Sequence, residues 1–226
     1  MKKFVIFIII LFLPSISVAH MAHYNKFNKI EMEIFRNDKL IGFSKFFFSR
    51  KGDKTVITNH TKFSVKILGA NIFKVEGYSE EIYIKEMLIS YNSETLQNNK
   101  KKYVKLNFDK DKNKFIIKGS SYNGEASIEN IIGHWWNHKI LQATSQISPV
   151  SGSIKEQIVT FINREKFTQY NQVFEVEHFT LKSKNINLPE DKKLDFNVWY
   201  DPKNAIIIRI SYSRMGNWEY RLKTVE

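Results

Sequence analysis

The sequence contains no cysteine, which excludes a disulfide framework, a thiolate metal site, a cysteine nucleophile and a lipid-modified N-terminal cysteine. It lacks the G-x-S-x-G, H-E-x-x-H, P-loop and glycine-rich dinucleotide patterns that carry much hydrolytic, metal and nucleotide chemistry. It has no linker of Pro/Gly/Ser composition, no repeat of fixed period and no long apolar helix after its first residues. A chain of 226 residues can bury a core without covalent staples, and antiparallel β domains of this length are often undivided. The expectation is one domain held by core packing and hydrogen bonding alone.

What is present begins with an address. Met1-Lys2-Lys3 is a short positive region, Phe4 to Leu13 is unbroken apolar sequence, and Ser17-Val18-Ala19 offers small residues before a cut. The apolar run is about half of the ~20 residues that a spanning helix requires. The spacing predicts a signal peptide over 1–19, cleaved after Ala19, a loose polar segment over 20–28 and a single β domain over 29–226. The expected location is the periplasm, with no transmembrane segment in the mature chain.

The formal net charge is +12. Its lysines cluster in turn-like places such as Lys100-Lys101-Lys102 and Lys182 to Lys184, where they keep a β protein soluble and discourage edge-to-edge pairing. Anionic lipid or glycan surfaces are the functional alternative for such clusters. Nucleic acid is not expected, because the chain is exported and shows no recognition helix or stacking motif.

The strand signal is strongest at the C-terminus. Leu194 to Tyr200 runs into the turn Asp201-Pro202-Lys203-Asn204, Ala205 to Tyr212 follows, and Trp218 to Leu222 comes after a turn at Gly216. The alternation predicts that Ile206, Ile208, Ile210 and Tyr212 share one face, and that Trp218, Tyr220 and Leu222 share another. Pro202 fits the second position of a β-turn and Gly216 a positive-φ position. Trp199 falls on the polar parity with Asp195 and Asn197, so it is expected to face solvent or the polar side of the sheet. Ile30, Met32 and Ile34 alternate with Glu31 and Glu33 ahead of the hairpin turn at Asn37-Asp38. Glu80 to Leu88 is where a helix competes, but its context favours a strand. Between Val176 and Phe179 the parity flips, which predicts a β-bulge near Glu177-His178. The fold class is all-β: a single strongly curved antiparallel sheet or barrel of about ten or more strands, with little helix.

Candidate chemistry is sparse. His134 and His138 flank Trp135, Trp136 and Asn137; on a helix the two imidazoles could share a metal, but on a strand they stand about 13 Å apart. No metal ligand set, cofactor or catalytic residue is assigned. The α-amino group with His20 and His23 could hold Cu(II) only adventitiously. Glu80, Glu81 and Glu86 are expected to be ordinary exposed carboxylates. The 18 Phe, 10 Tyr and 4 Trp are a more informative excess, because aromatics either fill a β core or line its cavity. Trp135, Trp136, Trp199 and Tyr200 are the candidate ligand-binding residues.

Short motifs extend this reading: Leu40-Ile41-Gly42, Ser93-Glu94-Thr95 with Asn98-Asn99, Trp136-Asn137, Trp199-Tyr200-Asp201, and Gly216 with Tyr220. On these the chain resembles an uncharacterised family of exported proteobacterial all-β proteins, a domain of unknown function. It is distantly similar in architecture to lipoprotein-carrier-type half-barrels. Asn99 stands where the family has glycine, and asparagine tolerates the left-handed backbone. The resemblance implies a periplasmic β fold and supplies no catalytic residue. Two functions stay open: a binding or carrier protein for an apolar or lipid-like ligand, and an envelope interaction or assembly protein with a filled core.

Overall fold

The computed structural model describes residues 27–67 and 69–226. The predicted leader, its cleavage point and most of segment 20–28 lie outside them. The last two residues of that segment are tied down: Phe27 is buried, and the carbonyl of Asn28 accepts from the Phe48 amide at 2.9 Å.

The described residues form one sheet of fifteen strands. The first eight are β1 (Lys29–Arg36), β2 (Lys39–Lys51), β3 (Lys54–Ile67), β4 (Ala70–Ile84), β5 (Met87–Gln97), β6 (Lys100–Asp109), β7 (Lys114–Gly119) and β8 (Asn123–Ser127). The others are β9 (Ile131–Ile132), β10 (Ser145–Ile147), β11 (Ile154–Gln169), β12 (Gln172–Ser183), β13 (Asp195–Asp201), β14 (Ile206–Ser213) and β15 (Asn217–Val225). Among the described residues helix is confined to two short 3-10 turns, His138–Leu141 and Glu190–Lys192. The region 80–88 is strand and turn, as its context suggested.

The topology explains the curvature. The chain starts mid-sheet at β1, zigzags outward to the β8 edge, crosses to the β9 edge and returns to β15, which pairs with β1. Only residues 128–130 separate β8 from β9, a span of at most about 14 Å. Two edges of a fifteen-stranded sheet can lie that close only if the sheet curls upon itself. The sheet is barrel-like, with β8 and β9 as separate edges. Every pairing is antiparallel except β9 with β10.

Local chemistry sets the hairpins. Asn37-Asp38, Asn98-Asn99 and Tyr170-Asn171 each place two successive residues at positive φ, as two-residue hairpins with the right-handed strand twist require. Asparagine at 99 therefore does take the left-handed backbone, with φ 65°. Asp201 Oδ1 accepts from the amides of Lys203 and Asn204, closing the turn that contains Pro202. Gly216 has φ +123°, as its place between strands required.

The bulges correct two expectations. The irregularity near His178 lies on the neighbouring strand: Phe161 pairs with Phe179 and Asn163 with His178, so Ile162 is the extra residue. A second bulge in β14 breaks the expected run of isoleucines, since Tyr200 pairs with Ile207 but Trp199 with Arg209. Ile206 and Ile208 consequently pack with Val176 and Leu222, while Ile207 and Ile210 pack with Met32, Leu181 and Val198. Gln169 Nε2 donates to the Leu222 carbonyl at 2.8 Å, next to the bulge where β15 meets β1.

Candidate functional site

Residues paired directly across strands share a face, so the register assigns the interior. At one end the inward row is Phe48, Ile57, Glu81, Tyr91, Leu106 and Ile117, and all six are buried. This end is filled. Trp136, from the segment between β9 and β10, closes it, packing edge-on against Phe48 and Tyr83.

Glu81 is the one carboxylate in that row, and it is 1% exposed, contrary to the exposed carboxylate expected. Its oxygens accept from Trp136 Nε1 at 2.9 Å and from the Tyr83 hydroxyl at 2.6 Å. His134 Nδ1 lies 2.6 Å from Oε1, and the His134 ring meets Phe46 and Tyr91 edge-on. Tyr91 and Ser93 both donate to the Pro149 carbonyl, at 2.8 and 2.7 Å. The segment 128–153 is thereby fastened to β4 and β5 at two points.

The inward rows on the other side of this plug shrink. They read Phe46, Asn59, Ser79 and Ser93; then Ser44, Thr61, Gly77, Thr95 and Lys102; then Gly42, Phe63, Val75 and Gln97. Serine, threonine and glycine there replace the large side chains of the filled end, and a cavity of about 730 Å³ remains. Phe46, Phe63, Phe73, Trp135, Tyr212 and Trp218 supply its apolar wall. A second recess of about 610 Å³ adjoins it, sharing Trp135, Tyr212, Arg214 and Tyr220.

The four candidate ligand residues therefore separate. Trp135 lines the cavity, braced edge-on by Phe196 at 5.1 Å. Trp136 is spent in the Glu81 cluster. Tyr200 packs in the core beside His138, whose ring stacks on it at 5.4 Å. Trp199 pairs in one row with His178, Arg209, Arg221 and Glu33, the outward parity. It is half-buried there, stacked on His178 at 4.6 Å and donating to Glu165 at 2.7 Å. His134 and His138 thus turn to different partners, and no group of three or more metal-ligating side chains occurs among the described residues.

Sequence reasoning missed the small-residue wall and Glu81. One signal was available: in Ser93-Glu94-Thr95 the flanking residues sit two apart, hence on one face, and both are buried against the cavity.

Burial raises the tyrosine hydroxyls. Tyr220 is pushed up to about 12 by desolvation, and Tyr91 and Tyr212 are raised chiefly for the same reason. Unfolded tyrosine ionises near 10. With raised folded values, this contribution to stability is complete below about pH 10 and is lost as pH climbs towards about 12 for Tyr220. Urea midpoints measured across that window should fall with rising pH. A midpoint unchanged between pH 9 and pH 11.5, while phenolate absorbance rises fully, would contradict it.

No curated protein matches the chain. Among solved structures, a β-barrel-like protein of domain of unknown function DUF1849 from Brucella abortus aligns with TM-score 0.59 at 6% identity, over 88% of this chain and 96% of that one. That likeness is one of fold. A protein with a YmcC-like fold from Bacteroides fragilis is more distant, with TM-score 0.36 and 11% identity over 88% and 94% of the two chains. The family model for domain of unknown function DUF6134 matches residues 32–223, nearly the whole sheet, and the chain belongs to that family.

Proposed function

We propose that the protein is an exported periplasmic binding or carrier protein that holds an apolar or lipid-like molecule inside its curled sheet. The observation that carries this reading is the cavity of about 730 Å³ with aromatic walls, a size within the ~300–1,000 Å³ common for small-molecule sites. It is kept open by small side chains on four consecutive strands, where larger residues would have filled it. The N-terminal leader pattern supports export. The envelope-assembly alternative draws support from Ile158, Phe161 and Ile162, which are exposed on β11 beyond its short pairing with β10.

Native mass spectrometry of protein purified gently from its own envelope tests the reading. Retained small-molecule mass is expected, on a polypeptide beginning at His20. The Val75→Trp variant, which fills the cavity, should lose that mass while melting within a few degrees of wild type. A wild-type protein that emerges bare and binds no apolar probe would sink the carrier reading. A polypeptide beginning at Met1 would sink the export reading.

A further inference from the structure

The charged side chains of the cavity wall are mostly cations. Arg36 follows Ile30, Met32 and Ile34 on the inward parity of β1 and pairs with Trp218, which pairs with Tyr212. Lys102 ends the inward row Ser44, Thr61, Gly77 and Thr95. In cavity-facing rows otherwise uncharged, these are two positive charges from strands β1 and β6, and both line the one cavity. Arg214, solvent-exposed in the β14–β15 turn, is the third cation of the wall. Charge held at an inward position is costly unless a counter-charge or water meets it.

None of the three has a carboxylate within ion-pair distance among the described residues. Arg36 donates to the Met215 carbonyl and lies 5.9 Å from the Trp218 ring centroid. Arg214 donates to the carbonyls of Glu190 and Lys193, at 3.0 and 2.9 Å. Carbonyl partners orient a guanidinium and supply no counter-ion. Among the described residues, the only acidic one in the cavity wall is Asp191. Elsewhere the protein pairs several of its cations with acids: Lys112 and Lys114 share Glu125, and Arg209 and Arg221 share Glu219.

We infer that the ligand is a single-chain amphiphile with an anionic head group, its chain against Phe63, Phe73, Trp135 and Trp218 and its head between Arg36, Lys102 and Arg214. This rests on the carrier reading above and adds the head-group charge. An acyl chain suits the aromatic wall, and an anion supplies the counter-charge that three cations and one acid leave missing. Carboxylate and phosphate heads share this chemistry, since guanidinium pairs with either.

The full-length protein is titrated with three probes of equal chain length: palmitic acid, hexadecyl phosphate and hexadecanol, read by quenching of tryptophan emission. At least one acid should bind tenfold or more tightly than the alcohol, and the tighter acid identifies the head. In the double variant Arg36→Met, Lys102→Met, acid affinity should drop to that of the alcohol while alcohol affinity holds, and added salt should weaken only acid binding to wild type. Equal affinities for acids and alcohol in wild type would overturn the head-group assignment and leave the carrier reading standing. Binding of none of the three would overturn both. If the double variant melts early, Arg214→Met alone serves, with partial loss of the acid preference expected and an unchanged preference counting against the inference.

Discussion

Replacing Glu81 with leucine is expected to lower the unfolding free energy by at least about 3 kcal/mol, because each buried donor left without an acceptor costs about 1–3 kcal/mol. Leucine suits the apolar row in which Glu81 sits, so a burial argument by itself would predict a neutral or stabilising change. The partners decide the sign. Trp136 Nε1 and the Tyr83 hydroxyl point at the carboxylate, and His134 Nδ1 lies against it; none of them is surface-exposed, so water does not replace the lost acceptor. Removing one member of a buried network is the costly operation, whereas replacing the whole network can be neutral. Glu81→Gln should fall between, since it keeps an acceptor oxygen and adds a donor that clashes with one of the three. Urea unfolding curves on the two variants measure this. A Glu81→Leu protein as stable as wild type would mean that the carboxylate does not fasten the 128–153 segment to β4.

The second large effect is expected at Gly42. A Cβ built there would lie 2.0 Å from the Lys62 carbonyl oxygen and 2.6 Å from the Phe63 Cα. Both are backbone atoms of the neighbouring strand and cannot rotate away. The position follows a bulge, as Ile34 pairs with Gly42 while Phe35 pairs with Leu40. Gly42→Ala should therefore cost about 3 kcal/mol or more, at the upper end of overpacking penalties, and should loosen the β2–β3 pairing. Gly52→Ala is the control: that glycine has φ +57° with open space around it, so only a left-handed penalty of about 1 kcal/mol applies. Thermal melts of the two alanine variants compare them directly. Equal losses would show that close strand approach is not what excludes a side chain at 42.

Much of the fold was legible because β structure writes itself locally. Alternation placed Ile30, Met32 and Ile34 inward, and it set Trp199 on the polar parity apart from Val198 and Tyr200. Turn chemistry marked the hairpins at Asn37-Asp38 and Asn98-Asn99. Errors arose where one extra residue reverses the parity, as at Ile162 and Ile208. A bulge depends on the partner strand as much as on its own sequence, so its exact residue cannot be read from one strand alone.

The site was far less legible. Trp135 and Trp136 are adjacent and chemically alike, yet one lines the cavity and the other seals the filled end. Nothing local distinguishes them, since the difference is whether β4 presents Glu81 or β13 presents Phe196 opposite. Ser44, Thr61, Gly77 and Thr95 look like unremarkable strand residues from four separate places. Only the register of β2 to β5 lines them up and leaves space that no single strand encodes. The sequence by itself determined the strand pattern, the hairpin turns and the faces of most side chains, because those follow from a period of two and from backbone preferences a few residues long. The curling of the sheet, the burial of Glu81, the cavity and its three cations were decided by tertiary structure, because each depends on residues brought together from strands far apart in the chain.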